Sequence, residues 1–265
     1  MARIGMLNTV AAKLKTTVYG EMPTYEQGFR VGRAIEGDIN LEATENKLYA
    51  DNRVVNIDKT VTNATMTLGV DEFGDGTELS QAEVKALLTG SVKETENGIE
   101  IISAGSTPDT NTVGVGFITT GRYPIDNLGV QKDYYEVHWY YKVTFGGMGN
   151  DTFNTKGENI TWSTPTITGE ITGVDGFPAN KNLAKEARFD TENDATVWLF
   201  AIADIDLTEA QLNAAGADVL YTLCVKYSIT SVSISGTDTP ITSAASITDE
   251  TKSAVVAAIL TAQDA

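Results

Sequence analysis

One short segment, residues 134–145 (YYEVHWYYKVTF), restricts the fold more than any other part of the chain. Successive side chains of a β-strand point to opposite faces of the sheet, so the odd and even positions belong to different faces. The odd set is entirely apolar: Tyr135, Val137, Trp139, Tyr141, Val143 and Phe145. The even set is mixed but rich in tyrosine: Tyr134, Glu136, His138, Tyr140, Lys142 and Thr144. We therefore predict a strand with one face in a core and a second face that something else covers.

The first two thirds of the chain contain short alternating segments separated by Gly, Thr and Asn. This pattern is typical of an antiparallel β fold. At 265 residues the chain is long enough to bury a core of its own. The predicted strands are residues 33–41, 60–70, 99–103, 113–119, 134–145 and 159–172.

Helix signals interrupt this series of strands. In SQAEVKALLTG, Ser80 and Glu83 have the spacing of a capping box, and Gly90 stands where a left-handed C-terminal cap is expected. Residues 191–203 also favour a helix, although their β-branched and aromatic content leaves a strand open.

The last part of the chain, residues 204–265, is predicted to be a small α/β appendage with the order helix, strand, helix. Thr208 and Gln211 repeat the capping-box spacing, and Gly216 is expected to stop that helix.

The predicted strand of this appendage is the apolar run 219–234, and its last helix is expected to begin near Thr248. The chain is thus divided into a β-rich body, residues 1–203, and the appendage, residues 204–265.

Charge limits the choice of partners. Asp and Glu number 36 against 19 Lys and Arg, which gives a formal net charge of -17. Such a surface repels nucleic acid, because non-specific affinity for DNA comes from basic side chains that neutralise phosphates. No window approaches the length of apolar sequence that a membrane helix needs, and no secretory signal is evident. We expect a protein kept soluble in the cytoplasm until it is assembled or released.

Catalytic and metal-binding patterns are weak. His138 is the only histidine, and Cys224, the only cysteine, lies in the apolar run VLYTLCVKYSI, where a buried small hydrophobe is expected. The acidic segment DEFGDGTE departs from the calcium-loop pattern at Phe73 and Ala82. We predict no catalytic residues, no metal site and no cofactor, and a structural or interaction protein in place of an enzyme.

Several segments of residues 1–203 resemble the major tail protein, or tail tube protein, of siphophages that infect Gram-positive bacteria. The resemblance is carried by MARIGMLN, EGDINLEATENKLYADNRVVNID, TVTNATMTLGVDE, GVGFITTGR, EVHWYYKVTF, TWSTPTITGEI and ARFDTENDATVWL. It implies a mainly β fold with α-helix, in which a tail-tube β-sandwich is flanked by a helix.

The resemblance also implies an assembly. Six copies would close a ring, and stacked rings would form a channel for the tape measure protein and then for DNA, which passes without specific binding. Further partners would be tail terminator or tip proteins, and the location would be the virion tail, assembled in the host cytoplasm. By position, residues 1–17 would be an extended arm and residues 48–60 a stacking loop. The candidate stacking residues are Leu48, Tyr49, Asp51, Asn52, Arg53, Val54 and Val55.

The even face of the 134–145 strand then has two interpretations. Tyr134, His138 and Tyr140 are candidates for a subunit or intramolecular interface. The alternative function is a β-sandwich carbohydrate-binding or adhesin module, in which Tyr134, Tyr140 and Trp162 form an exposed platform for sugars. An enzyme that uses His138 is the third hypothesis.

Overall fold

The computed structural model describes residues 3–50, 53–74, 79–103, 111–124, 131–146, 165–178 and 181–264. The predicted mainly β fold with α-helices is confirmed. The strands are β1 (Arg3–Thr16), β2 (Thr24–Ala50), β3 (Arg53–Phe73), β4 (Val92–Glu96), β5 (Ile99–Ser103), β6 (Thr112–Arg122), β7 (Asp133–Phe145), β8 (Thr166–Ile171), β9 (Ala184–Phe189), β10 (Ser231–Ile234) and β11 (Thr237–Pro240). The helices are α1 (Gln81–Thr89), α2 (Glu192–Ala203), α3 (Glu209–Ala214), α4 (Ala217–Lys226) and α5 (Asp249–Gln263).

Seven of these strands form one sheet in the order β6, β1, β2, β3, β8, β7, β9. Strand β6 also pairs with β7, so the sheet has a barrel-like closure. The strand pairs that a sandwich would divide between two sheets are therefore joined in one. Closure of this kind removes exposed sheet edges, which otherwise invite pairing with other chains. Strands β4 with β5 and β10 with β11 form two separate hairpins.

The contacts divide the chain into two compact units. The first comprises residues 1–5, 116–138 and 186–265, and the second comprises residues 6–115 and 139–185. The predicted division after residue 203 stays a prediction. Fully buried large side chains of the second unit include Met66, Leu68, Phe73, Trp139, Phe145 and Ile167; those of the first include Ile118, Leu199, Phe200, Leu212 and Leu220.

The predicted strands are longer in the structure than the sequence indicated. Predicted strand 33–41 is part of β2, which has 27 residues, and 60–70 is part of β3, which has 21. These lengths far exceed the mean strand of about 5–6 residues. Strands β1, β4 and β9 were not predicted, and of 159–172 the described part is β8.

The centre of the second unit is an aromatic contact. The rings of Tyr25 and Trp139 meet edge to face with 5.0 Å between their centroids. The Tyr25 hydroxyl donates a hydrogen bond to the backbone oxygen of Tyr141 at 2.9 Å, so its polar end is satisfied inside the core. Gly114 lies directly against both rings, and a Cβ atom there would collide with them. Glycine is thus required at residue 114 because β6 approaches the aromatic pair closely.

Replacing this glycine should disrupt the core. We predict that Gly114→Val lowers the free energy of unfolding by about 3 kcal/mol, because overpacking a filled core forces side chains out of their rotamers. Urea unfolding followed by circular dichroism measures the change. Gly146→Ala is the matched control, since a Cβ at residue 146 meets nothing within 4 Å. Equal unfolding midpoints for the two variants would contradict this packing.

The predicted helix starts are confirmed for three helices. Ser80 and Glu83 form a capping box at α1, and Gly90 caps its end in the left-handed conformation. Thr208 and Gln211 form a capping box at α3. Residues 191–203, for which a strand remained open, form α2.

The predicted strand 219–234 is wrong. Its first part belongs to α4, and its last residues form β10 of a short hairpin. Val219, Leu220, Leu223 and Cys224 are buried, which is the spacing of one helix face. A short apolar run does not distinguish a buried strand from a helix, and this ambiguity caused the error.

Two further details of residues 204–265 follow from α4. Gly216 does not stop α3 in a left-handed cap, because it is the extended N-cap of α4. The appendage order is therefore helix, helix, hairpin, helix. The last helix begins after the N-cap Thr248, as predicted.

Candidate functional site

His138 on β7 lies in a hydrogen-bonded network of the first unit. Its Nε2 atom is 3.0 Å from the hydroxyl of Thr119 on β6, and its Nδ1 atom is 2.9 Å from a carboxylate oxygen of Glu186 on β9. The Phe117 ring lies beside the imidazole, with 5.2 Å between centroids. Only 2% of His138 is exposed. The imidazole therefore links three strands through buried hydrogen bonds.

The partners of His138 fix how its nitrogens are used. Glu186 accepts at Nδ1, so this nitrogen carries a proton, and in the neutral ring Nε2 accepts from the Thr119 hydroxyl. That hydroxyl also lies 3.4 Å from the backbone oxygen of Glu136, to which it can donate. When Nε2 is protonated, it donates to the Thr119 oxygen, and the hydroxyl turns towards Glu136. The network satisfies both protonation states without a change of fold.

This arrangement has the order hydroxyl, imidazole, carboxylate that hydrolases use. A nucleophile, however, must present a face to substrate. Thr119 is 7% exposed and His138 is 2% exposed. The burial of both groups favours a network that holds β6, β7 and β9 together.

Tyr134, at the beginning of β7, is covered within the first unit. It is 3% exposed, its ring lies directly over Gly121, and the guanidinium of Arg188 lies 4.3 Å from the ring centroid. Arg188 also donates to the Glu136 carboxylate at 3.0 Å. The contacts of Tyr134 described here are therefore intramolecular.

The third candidate interface residue, Tyr140, belongs to the second unit and is 9% exposed. Its burial, with that of Tyr134, means that these two tyrosines do not form the exposed platform predicted for the carbohydrate-binding alternative. The sequence missed this because alternation shows that two faces differ but does not show that both are covered. Trp162 lies outside the described residues.

Removing the imidazole should destabilise the protein. We predict that His138→Ala lowers the free energy of unfolding by about 2–4 kcal/mol, because it leaves a cavity and unpaired buried groups. Glu186→Gln is the control: its side chain is 55% exposed, so we expect a cost below about 1 kcal/mol. Chemical denaturation measures both. An unchanged midpoint for His138→Ala would remove the structural role of the network.

The candidate stacking residues lie at the end of a long hairpin formed by β2 and β3. Leu48 pairs with Asn56, Tyr49 with Val54, and Ala50 with Arg53. Val55 is on the same strand, whereas Asp51 and Asn52 lie outside the described residues. We call β2 and β3 from Leu41 and Ala64 to this end the arm.

Within the described chain, the arm has no third strand. Strand β1 pairs with β2 only through Gly32, and β8 pairs with β3 only from Thr65. At the rise of a β-strand the arm is roughly 30 Å long. The other predicted arm, residues 1–17, is different: Arg3–Thr16 form β1, and Thr9–Thr16 pair with the same chain.

One face of the sheet formed by β2, β3 and β8 is polar and acidic. Cross-strand pairs such as Asp38 with Thr67 and Thr67 with Thr168 place their side chains on the same face. The opposite face holds buried residues such as Met66 and Leu68. We define the acidic face by Glu36, Asp38, Asn40, Glu42, Asn63, Thr65, Thr67, Thr168 and Glu170, which include four carboxylates and no Lys or Arg.

The apolar face of the same strands continues beyond the core. Leu41 is 52% exposed and Val61 is 44% exposed, at the base of the arm. Large apolar side chains that extend a buried face into solvent are typical of an interaction surface.

The sequence did not predict a groove that lies beside α1 in the second unit. It encloses about 500 Å³, and its walls come from the beginning of β2, from α1 and from β4. The lining residues are Gln27, Gly28, Phe29, Leu79, Glu83, Ala86, Leu87 and Lys93. Its walls come from three separate segments, and only the fold brings these together.

An ion-pair cluster lies at the rim of this groove. The Lys93 ammonium is 2.7 Å from Glu83 and 2.9 Å from Glu100. Hydrogen bonds from Lys93 and from Ser80 lower the pKa of Glu83 to about 2, and its two carboxylate partners raise the pKa of Lys93. Both groups stay charged at ordinary pH, which makes them poor proton-transfer catalysts.

This cluster should make stability depend on pH in acid. The lowered pKa of Glu83 stabilises the fold above the ordinary carboxyl pKa of 4.5, and this stabilisation is lost as the pH falls towards 2. We predict that Glu83→Gln lowers the unfolding midpoint at about pH 6 and that the difference from the native chain narrows at about pH 2.5. Urea unfolding at both pH values measures it. Glu94→Gln, on exposed β4, is the control; a constant difference for Glu83→Gln would refute the prediction.

Two other titratable groups have shifted pKa values because they are buried. Burial raises the pKa of the Cys224 thiol, which suits the predicted role as a buried hydrophobe. Burial lowers the pKa of Lys185 to about 8. Among the described residues, no group of three His, Cys, Asp or Glu side chains is placed to hold a metal ion. In the same part of the chain, no helix combines the length and apolar character needed to span a membrane.

Comparisons with known proteins leave the family open. The sequence matches no model of a known protein family and no curated protein.

Proposed function

We propose that the chain is a structural protein that assembles with copies of itself into stacked rings, as a phage tail tube protein does. The rings, of six copies by the resemblance stated above, would enclose a channel through which DNA passes, in contact with tape measure, terminator and tip proteins. On this proposal the protein is not an enzyme, and its place is the virion tail.

The observation that carries the proposal is the acidic face. A channel that lets a polyanion pass must not bind its phosphates, and basic side chains are what bind them. The acidic face presents carboxylates and hydroxyls on three adjacent strands and no Lys or Arg. It is therefore suited to a channel wall.

The arm supports the same proposal. Its strands have unpaired edges within the described chain, and Leu41 and Val61 are exposed at its base. An open strand edge together with exposed apolar surface is the usual means by which β proteins pair with further chains. The alternative carbohydrate-binding function loses support, because Tyr134 and Tyr140 are buried.

The proposal predicts assembly and a passive channel. Negative-stain images of the purified protein should show rings or tubes, and these should not retain added double-stranded DNA. A variant with Glu36→Lys, Asp38→Lys, Glu42→Lys and Glu170→Lys should retain DNA in assembled tubes, with an affinity that falls steeply with salt. Co-sedimentation of DNA with tubes measures retention.

The control carries four lysines elsewhere: Glu94→Lys, Glu96→Lys, Asp238→Lys and Asp264→Lys. We expect it to bind DNA less than the acidic-face variant when both are assembled. Persistent monomers of the native chain across protein and salt concentrations would overturn the proposed function. Equal DNA retention by both lysine variants would overturn the channel role of the acidic face.

A further inference from the structure

The groove beside α1 has the construction of a site for an extended polypeptide. Strand β2 pairs with β1 along Thr24–Gly32, but its pairing with β3 begins only at Gly32. Among the described residues, the opposite edge of β2 before Gly32 therefore has no strand partner. Gln27, Gly28 and Phe29, which line the groove, belong to this open segment.

The second wall is a helix face. Leu79, Glu83 and Leu87 are spaced four residues apart, so they follow one side of α1 from its N-terminal approach to its end. Phe29, only 3% exposed, belongs to the apolar lining, while Ala86 leaves room beside the helix. A strand edge that faces a helix across an apolar groove is the arrangement with which several domains bind an added strand.

The charges at the rim favour a basic occupant. Glu83 and Glu100 both contact Lys93, so the carboxylates outnumber the ammonium in this cluster. The lowered pKa of Glu83 keeps its carboxylate charged at neutral pH. An incoming segment with a basic side chain beside apolar ones fits this rim and groove.

The chain itself contains such a segment. The end of the arm has the sequence KLYADNRVV, in which Lys47 and Arg53 outnumber Asp51 and apolar residues stand beside both bases. Its backbone is extended, and its outer edges have no strand partner within the described chain.

We propose that the groove beside α1 binds the end of the arm of a second copy, which adds a strand to the open edge of β2. This inference rests on the proposed self-assembly and names the receiving site for the arm. Backbone hydrogen bonds to β2 supply affinity, and the apolar helix face with its acidic rim selects the basic, apolar arm. A groove of this volume also falls within the range of small-molecule sites, so the test separates the two occupants.

Cross-linking between full-length chains tests the contact directly. Chains with Ala86→Cys are mixed with chains that carry Leu48→Cys and treated with a short bismaleimide. The natural Cys224 is buried and does not compete. We expect about tenfold more cross-linked dimer than with Gln81→Cys, which places the thiol on an exposed part of the same helix, because a bound arm raises the local thiol concentration. Labelling with a monomaleimide corrects for reactivity.

A second variant fills the groove. Ala86→Trp should abolish tubes and the cross-link between Leu48→Cys and a groove thiol at Leu87→Cys, whereas Gln81→Trp should leave both unchanged. Circular dichroism confirms that each variant is folded. If native tubes form and Ala86→Trp or the cysteine pairs behave like their Gln81 controls, the groove inference is overturned and the proposed function stands. Selective cross-links without any tubes support the groove contact and count against the tube.

Discussion

The contact between Trp139 and Tyr25 is the interaction on which the second unit depends, because it joins strands that are far apart in sequence. Tyr25 lies near the beginning of β2, and Trp139 lies in the middle of β7. Gly114 allows β6 to approach both rings, and the Tyr25 hydroxyl is satisfied by β7 itself. A closed sheet requires such long-range contacts, since each strand must meet neighbours on both edges. Both sides of β7 are consequently buried, and its even face, ambiguous in sequence, is part of the interior.

The sequence contains local features of the fold more clearly than distant ones. Capping boxes at Ser80 and Thr208 were predicted because all of their atoms lie within four residues. The strand at residues 134–145 was predicted because alternation is also local. The apolar run at 219–234 was assigned wrongly, since burial of Val219 and Leu223 on one helix face depends on what packs against it. The partners of His138 come from β6 and β9, and the groove combines β2, α1 and β4; no spacing in the chain brings these together.

The arm and the acidic face belong to the same pair of strands. Along β2 and β3, one side continues from the buried core to Leu41 and Val61, and the other side carries Glu36 and Asp38. Period-two alternation thus gives one ribbon two different surfaces: an apolar one suited to another copy, and an acidic one suited to water and to a passing polyanion. Long strands were underestimated from sequence because their outer halves lack the buried positions that make alternation visible.

The acidic face also has a cost for any ring that contains it. Closing copies around a channel brings Glu36, Asp38, Glu42 and Glu170 of each copy near those of its neighbours, and like charges repel. Mobile cations screen this repulsion over a Debye length of about 8 Å at physiological ionic strength. The surface that spares DNA would therefore make the ionic medium a control on polymerisation, with dilute salt holding subunits apart and concentrated salt releasing them to polymerise.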